Sequence, residues 1–406
     1  MPDTHTRRHA PIPSRSPRLA FVVLTALIAC GLHAAETAPS TEASPSAAAL
    51  DAALQTLHAD NPFPGFAVAV VDRDDGVLYS KGFGWADRKA ETPFTPKTVL
   101  NIGSVSKTFI GVALMQAEAK GQIDLDAPID RHLPYTVRNP RFPDTAITLR
   151  HLATHTSGIE DRESIYRKAY SEGSEPSMAL GDYLKRYLDP EGAWFDRRNF
   201  GDAAPGEQRE YSNIGAALAA HVLERATGEP FDVSTTRTIL EPLGMDGAGW
   251  SYADAASSRH ATLYDGRKVV DLYTLVTYPD GGMRADVESL TRYLQAMLHG
   301  GELDGARILS ESSVAAMVAA QHPADSPLVD AMDGKNSGIF WSINAKGRIG
   351  HTGGDPGIAT ALAFDPETGR GWIFVTNTEL NRKNVEAFRE VWSQLGASFP
   401  SGDEGG

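Results

Sequence analysis

The 406 residues contain a single cysteine, Cys30. An internal disulfide framework is therefore excluded. Cys30 lies at the end of an N-terminal apolar run, where cleavage or a lipid cap leaves no thiol in the mature chain, so thiol catalysis is not expected. An excess of basic charge is missing too. Lys and Arg number 38 against 52 Asp and Glu, a net charge of -14. Binding to nucleic acid needs a basic face, and none is present. The acid excess reads as solubility, with no specific partner implied. After Leu32 no apolar run is long enough to span a bilayer. Internal repeats are absent. What remains is 41% hydrophobic and 22% charged, ordinary values that exclude a largely disordered chain.

Residues 1–35 read as a signal peptide. Arg7, Arg8, Arg15 and Arg18 precede the apolar run from Leu19 to Leu32. Within it, Leu27-Ile28-Ala29-Cys30 resembles a bacterial lipobox, which makes Cys30 a candidate for lipidation. Cleavage at a small residue such as Ala34 is the alternative, and both stay open. Residues 36–48, rich in Ala, Ser, Thr, Pro and Glu, read as a flexible tether. The expected location is exported: periplasm or cell envelope, with membrane contact only through a lipid on Cys30.

The body opens with a helix over Ala48–Leu57. Two strand-like runs follow, Phe66–Val71 and Val77–Gly84, joined by the turn Asp72-Arg73-Asp74-Asp75-Gly76. That turn lacks the ligand spacing and distal Glu of a calcium loop. Helical patterns fill most of 104–298: Thr108–Lys120, Ala216–Thr227 and Val287–Leu298, each closed by glycine. Strand patterns return at Gly338–Asn344, Arg348–His351, Ile358–Asp365 and Gly371–Asn377, before a helix over Val385–Leu395. The expected fold is α+β. Residues 49–103 and 281–398 build one antiparallel sheet lobe flanked by helices, and 104–280 insert a mainly helical lobe. A tail follows from 399 to 406. Small-molecule sites favour such lobe junctions.

Three motifs carry chemistry. Ser104-Val105-Ser106-Lys107 opens an apolar helix, and residues three apart on a helix share a face. A serine hydroxyl needs a neighbouring base to become a nucleophile. A helix start offers backbone N–H groups to developing negative charge. Tyr211-Ser212-Asn213 precedes a second helix. His351-Thr352-Gly353-Gly354 ends a strand. Each has a plainer reading alone: a capping serine with a solvated lysine, an Asn cap beside a packed tyrosine, a glycine-rich strand end. His151 and His155, four apart, could share a helix face and bind metal. No Glu follows in metalloprotease order, and Thr156-Ser157-Gly158 favours a turn. Tyr166, Tyr170, Trp194 and Phe195 fall in loops over the expected cleft.

Taken together and in this order, the motifs resemble the serine β-lactamase and penicillin-binding-protein superfamily. The most similar branch holds class C β-lactamases, D-alanyl-D-alanine carboxypeptidases and related esterases. Flanking phrases agree: Ile147-Thr148-Leu149-Arg150-His151-Leu152-Ala153-Thr154-His155-Thr156-Ser157-Gly158, and Glu241-Pro242-Leu243-Gly244-Met245. The resemblance spans roughly residues 50–395. It implies a β-lactamase/transpeptidase-like fold and an acyl-enzyme mechanism without cofactor or metal. Ser104 is then the nucleophile, Lys107 eases its deprotonation, and Tyr211 passes the proton to the leaving group. Asn213 hydrogen-bonds a substrate amide or the lysine, and His351, Thr352 and Gly353 line the opposite, substrate-binding wall of the cleft. The N–H groups of Ser104 and Gly354 form the oxyanion hole.

One departure matters. Many β-lactamases carry Lys where this chain has His351, and an unperturbed histidine is mostly neutral at pH 7. Anchoring of a carboxylate-bearing antibiotic should weaken, which favours peptidase or esterase work. The substrates implied are D-Ala-D-Ala-type peptides, β-lactams or small esters. The alternatives are a pure carboxylesterase and a catalytically silent penicillin-recognition or scaffolding protein.

Overall fold

The computed structural model describes residues 47–59 and 63–399. The readings of residues 1–35, of Cys30, of the tether to residue 46 and of residues 400–406 lie outside them. Ala47 and Ala48, assigned to the tether, already belong to helix α1, Ala47–Ala59.

The central sheet is built from both ends of the described chain. From the front come β1 (Gly65–Asp72), β2 (Gly76–Asp87) and β3 (Thr92–Pro93). From the rear come β4 (Asn336–Ser337), β5 (Ser342–Ile343), β6 (Ile349–Asp355), β7 (Ile358–Asp365) and β8 (Arg370–Thr376). Their order across the sheet is β4-β5-β6-β7-β8-β1-β2-β3. Every pairing is antiparallel. β1 and β8 meet in the middle, Phe66 opposite Thr376. Asn377 locks the join: its Oδ1 accepts from Gly65 N at 3.0 Å, and its Nδ2 donates to Trp85 O, Ala86 O and Thr262 O.

All of β1 is buried, because helices cover both sheet faces. Alternation sorts its side chains. Phe66, Val68 and Val70 face Leu50 and Leu54 of α1, with Phe388, Val391 and Leu395 of the closing helix Val385–Ala397. Ala67, Ala69 and Val71 join the larger core with helix α2 (Lys107–Ala119), helix α3 (Asn213–Thr227) and helix α4 (Val287–Leu298). Helix α2 is buried almost all round, as a helix apolar on every side must be.

The expected strand Gly338–Asn344 is not continuous. Gly338 N donates to Trp341 O at 2.8 Å, and Phe340 has φ 57°. The chain turns there because Ile339, Phe340 and Trp341 are all drawn into the core. Ile339 N bonds Met317 O, and Phe340 N bonds Ala153 O. The region 104–280 is less helical than its pattern suggests. It holds two small two-stranded sheets, the long-range pair Tyr170–Glu172 with Tyr273–Leu275 and the hairpin Leu263–Asp265 with Lys268–Val270. At the acidic turn after β1, Asp72 Oδ1 accepts from the N–H groups of Asp74 and Asp75, and its carboxylate pairs with Arg370.

Candidate active site

Gly103 opens the site with φ 53°, a conformation that suits glycine. Gly103–Ser106 wind as a 3-10 turn, and the α-helix begins only at Lys107. Three residues per turn stack Ser104 beneath Lys107. Lys107 Nζ donates to Ser104 Oγ at 3.0 Å, to Asn213 Oδ1 at 2.7 Å and to the Asp280 carbonyl oxygen at 2.5 Å. An ammonium has three N–H donors, and here each finds an acceptor. Lys107 is fully buried. Buried cations are tolerated only with such pairing.

Ser212 caps α3, accepting from Gly215 N at 2.8 Å. Asn213 is the first helical residue, which leaves its amide to face Lys107. The half-buried Asp161 carboxylate fixes this corner. It accepts from Ser212 Oγ at 2.7 Å, Asn213 N at 2.7 Å and Ile214 N at 3.1 Å. Burial raises its pKa, and those three bonds pull it back. Sequence reasoning overlooked Asp161, since a lone Asp three residues after Gly158 has no motif.

Tyr211 stands between two partners. Its ring packs on the His155 ring, centroids 4.2 Å apart, and the Lys107 ammonium sits 5.1 Å from its centroid. The His351 ring is 6.4 Å away. His155 has left the preceding helix, Leu149–Ala153, with φ 58°. Its Nδ1 accepts from Ser212 N at 3.2 Å, and its carbonyl accepts from Glu210 N. Burial, then the charges of Arg209 and Lys107, drive the His155 pKa well below the usual histidine value. His151 has a different partner: its Nδ1 accepts from Thr148 N and completes a capping box. The two histidines do not share a helix face. No cluster of three or more metal-binding side chains occurs among the described residues.

β6 forms the opposite wall. A side chain at Gly353 would put its Cβ 2.0 Å from Ile102 O, so only glycine lets the strand lie this close to the Ser104 turn. Gly354 N falls 2.9 Å from where a Gly103 Cβ would be. Thr360 Oγ1 donates to Ile102 O at 2.7 Å and ties the same turn to β7. His351 Nδ1 donates to Thr352 O at 2.7 Å. Burial, and next the Lys107 charge, push the His351 pKa down to about 3. His351 is thus neutral at pH 7, more firmly so than its type alone implies.

Of the four loop aromatics, two reach the site. Tyr166 OH donates to Asp280 Oδ1 at 2.9 Å, and Tyr170 OH to Asp355 Oδ1 at 2.5 Å. Trp194 instead packs on Tyr183, and Phe195 on Phe200. Asp280 and Asp355 were not singled out by sequence. Burial raises both carboxyls to about 7.

An amine, a hydroxyl, a phenol ring and a glycine-rich strand edge thus converge between helices α2 and α3 and strand β6. The chain matches the β-lactamase family over residues 50–395 and belongs to that family. Esterase EstB of Burkholderia gladioli is 34% identical over 238 residues, covering 56% of this chain and 57% of the esterase. The match thus spans little more than half of that relative's length. A β-lactamase of Pseudomonas fluorescens is 26% identical, covering 72% of this chain and 73% of its own. Penicillin-binding protein 4* of Bacillus subtilis (strain 168) is 24% identical over 83% of this chain and 73% of its own. A solved class C β-lactamase superposes with TM-score 0.68 at 20% identity, covering 86% of this chain and 95% of that one. An octameric penicillin-binding protein homologue from Pyrococcus abyssi gives 0.66 at 22%, covering 87% and 78%. These two likenesses establish the fold.

Proposed function

We propose that this chain is an exported serine hydrolase that works through an acyl-enzyme on amide or ester substrates. The observation that carries the reading is the Lys107 ammonium, held at once 3.0 Å from Ser104 Oγ and 5.1 Å from the Tyr211 ring centroid. In this reading Ser104 Oγ attacks the substrate carbonyl and its O–Cacyl bond forms. Lys107 stabilises the charge that develops on Oγ. As the O–C bond forms, the Ser104 Oγ–H bond breaks and its proton passes to the Tyr211 oxygen, while Tyr211 gives a proton to the leaving amine or alcohol as the scissile bond breaks. Water then hydrolyses the acyl-serine by the reverse route. The N–H groups of Ser104 and Gly354 receive the oxyanion, and loss of one such donor typically costs about 2.7–4 kcal/mol.

Among substrates, small esters and neutral amides are favoured over carboxylate-anchored antibiotics. His351 supplies no cation, its pKa being pushed down to about 3. The relative at 34% identity is named an esterase, which supports the same preference. Three substrates decide it: a short-chain nitrophenyl ester, a D-Ala-D-Ala peptide and a chromogenic cephalosporin, with Ser104→Ala as control. Turnover of none of them by the wild type, and no Ser104 labelling by a fluorophosphonate, would support a silent recognition protein instead. Mass spectrometry of the mature N-terminus tests export and a lipid on Cys30.

A further inference from the structure

Two glycine pairs flank the nucleophile, and each adjoins an aspartate. Gly281-Gly282 follow Asp280, whose carbonyl receives Lys107. Gly353-Gly354 precede Asp355, the last residue of β6. Glycine pairs have no side chains to anchor their backbone; β7 pairs with Gly353-Gly354 along one edge only, while β5 reaches no further than Ile349 and Gly350 along the other. The two aspartates are gripped by one short segment, residues 163–172. It runs as a helical turn Glu163–Tyr166, a 3-10 turn Arg167–Ala169 and a strand Tyr170–Glu172.

Tyr166 OH donates to Asp280 Oδ1 at 2.9 Å, and Tyr170 OH to Asp355 Oδ1 at 2.5 Å. Tyr273, from the strand paired with Tyr170–Glu172, donates to Asp355 Oδ2 at 2.8 Å. The Tyr166 and Tyr170 rings meet edge to face, centroids 6.0 Å apart. The segment is itself held by backbone bonds, Val276 N to Ala169 O at 2.7 Å among them, and by Tyr183 OH to Ile165 O at 3.0 Å.

We infer that residues 163–172 act as a clasp, with Tyr166 positioning Lys107 through Asp280 and Tyr170 positioning the Gly354 N–H through Asp355. The inference rests on the serine hydrolase reading above. Neither tyrosine is catalytic. Tyr166 keeps the Asp280 carbonyl aimed at Nζ, and so keeps Nζ aimed at Ser104. Tyr170 and Tyr273 hold the end of β6 at a fixed separation from the Ser104 turn. Small displacements of such groups are costly, because attack and oxyanion donation both depend on alignment.

The test uses Tyr166→Phe and Tyr170→Phe in the full chain, which keep both rings and remove one bond each. Tyr183→Phe serves as control, since it removes a bond to the same segment without reaching either carboxyl. Acylation is read with a fluorophosphonate probe and a nitrophenyl ester. Each clasp variant should lower kcat by about tenfold to a hundredfold, with KM changed less than about twofold. Tyr183→Phe should lower Tm but leave kcat near wild type. Combining Tyr166→Phe with Asp280→Asn should slow acylation no further than the slower single variant, since both sever one path. Wild-type rates in both clasp variants, an equal slowing by Tyr183→Phe, or additive effects in the double variant would overturn the clasp. If the wild type is unlabelled, or Ser104→Ala labels as well as wild type, it is the hydrolase reading that fails.

Discussion

The Lys107 ammonium lies closer to the backbone oxygen of Asp280, at 2.5 Å, than to Ser104 Oγ, at 3.0 Å. Its position is thus set by a turn from the far side of the inserted region as much as by its own helix. Lysine presents a compact point of charge with three donors, whereas arginine presents a planar fork. Lys107→Arg should therefore fail to meet all three acceptors. We expect acylation to fall by about 10²–10⁴-fold, measured as the rate of fluorophosphonate labelling. A variant labelled at the wild-type rate would remove Lys107 from the mechanism.

Tyr211→Phe keeps the ring against His155 and Lys107 but loses the hydroxyl. If the phenol carries the proton to the leaving group, kcat should drop by about 10²-fold or more on poor leaving groups. The drop should shrink on a nitrophenyl ester, whose leaving group needs no proton. Equal losses on both substrates would argue for a packing role.

Asp161→Ala strips the start of α3 of the acceptor used by Ser212, Asn213 and Ile214. The buried donors left behind should cost about 1–3 kcal/mol each if unpaired. A clear fall in Tm is expected in thermal unfolding, together with slower acylation because Asn213 loses its anchor. An unchanged Tm would mean that another acceptor takes over.

Asp280 makes stability depend on pH in an unusual direction. Burial lifts its carboxyl to about 7, against the pull of Lys107, while an unfolded aspartate ionises near 3.9. Between about pH 4 and 7 the folded protein keeps a proton that the unfolded chain releases. This contribution falls as pH rises through that window and is flat above it. Asp280→Asn removes it, so the variant should gain Tm relative to wild type between pH 5 and pH 8. The same offset at both pH values would contradict the raised pKa.

His351 works the other way. Its pKa is pushed down to about 3, against about 6.5 when unfolded. Stability should be lost as pH falls from about 6.5 towards 3, because only the unfolded state takes the proton. His351→Lys should raise kcat/KM for a carboxylate-bearing substrate relative to a neutral ester. A ratio that stays level or falls removes the link between this position and carboxylate preference.

The sheet was legible in the sequence because its strands alternate cleanly or run wholly apolar, and Ser104, Lys107, Tyr211, Asn213 and His351, which the structure brings together, stood out as candidates because they sit in dense motifs. The split of 338–344 stayed hidden because Ile339, Phe340 and Trp341 read as strand, while tertiary burial bends them into a turn. Asp161, Asp280 and Asp355 were invisible for another reason. Their partners are far off along the chain, as with Tyr170 and Asp355, 185 positions apart. His155 was noticed only as a metal ligand to be doubted. Its work as a support for Tyr211 depends on a left-handed backbone that no spacing rule announces.

The seam between β1 and β8 sets a schedule for assembly. Gly65 and Asn377 are separated by 312 positions, yet they bond directly. A chain emerging from the ribosome can cover Phe66, Val68 and Val70 only with α1 and β2 until Phe374, Phe388, Val391 and Leu395 have been made. Such long-range closure is slow and leaves a sticky intermediate. Truncation before Thr376 should not be tolerated, because β8 is the strand that joins β1 to β7.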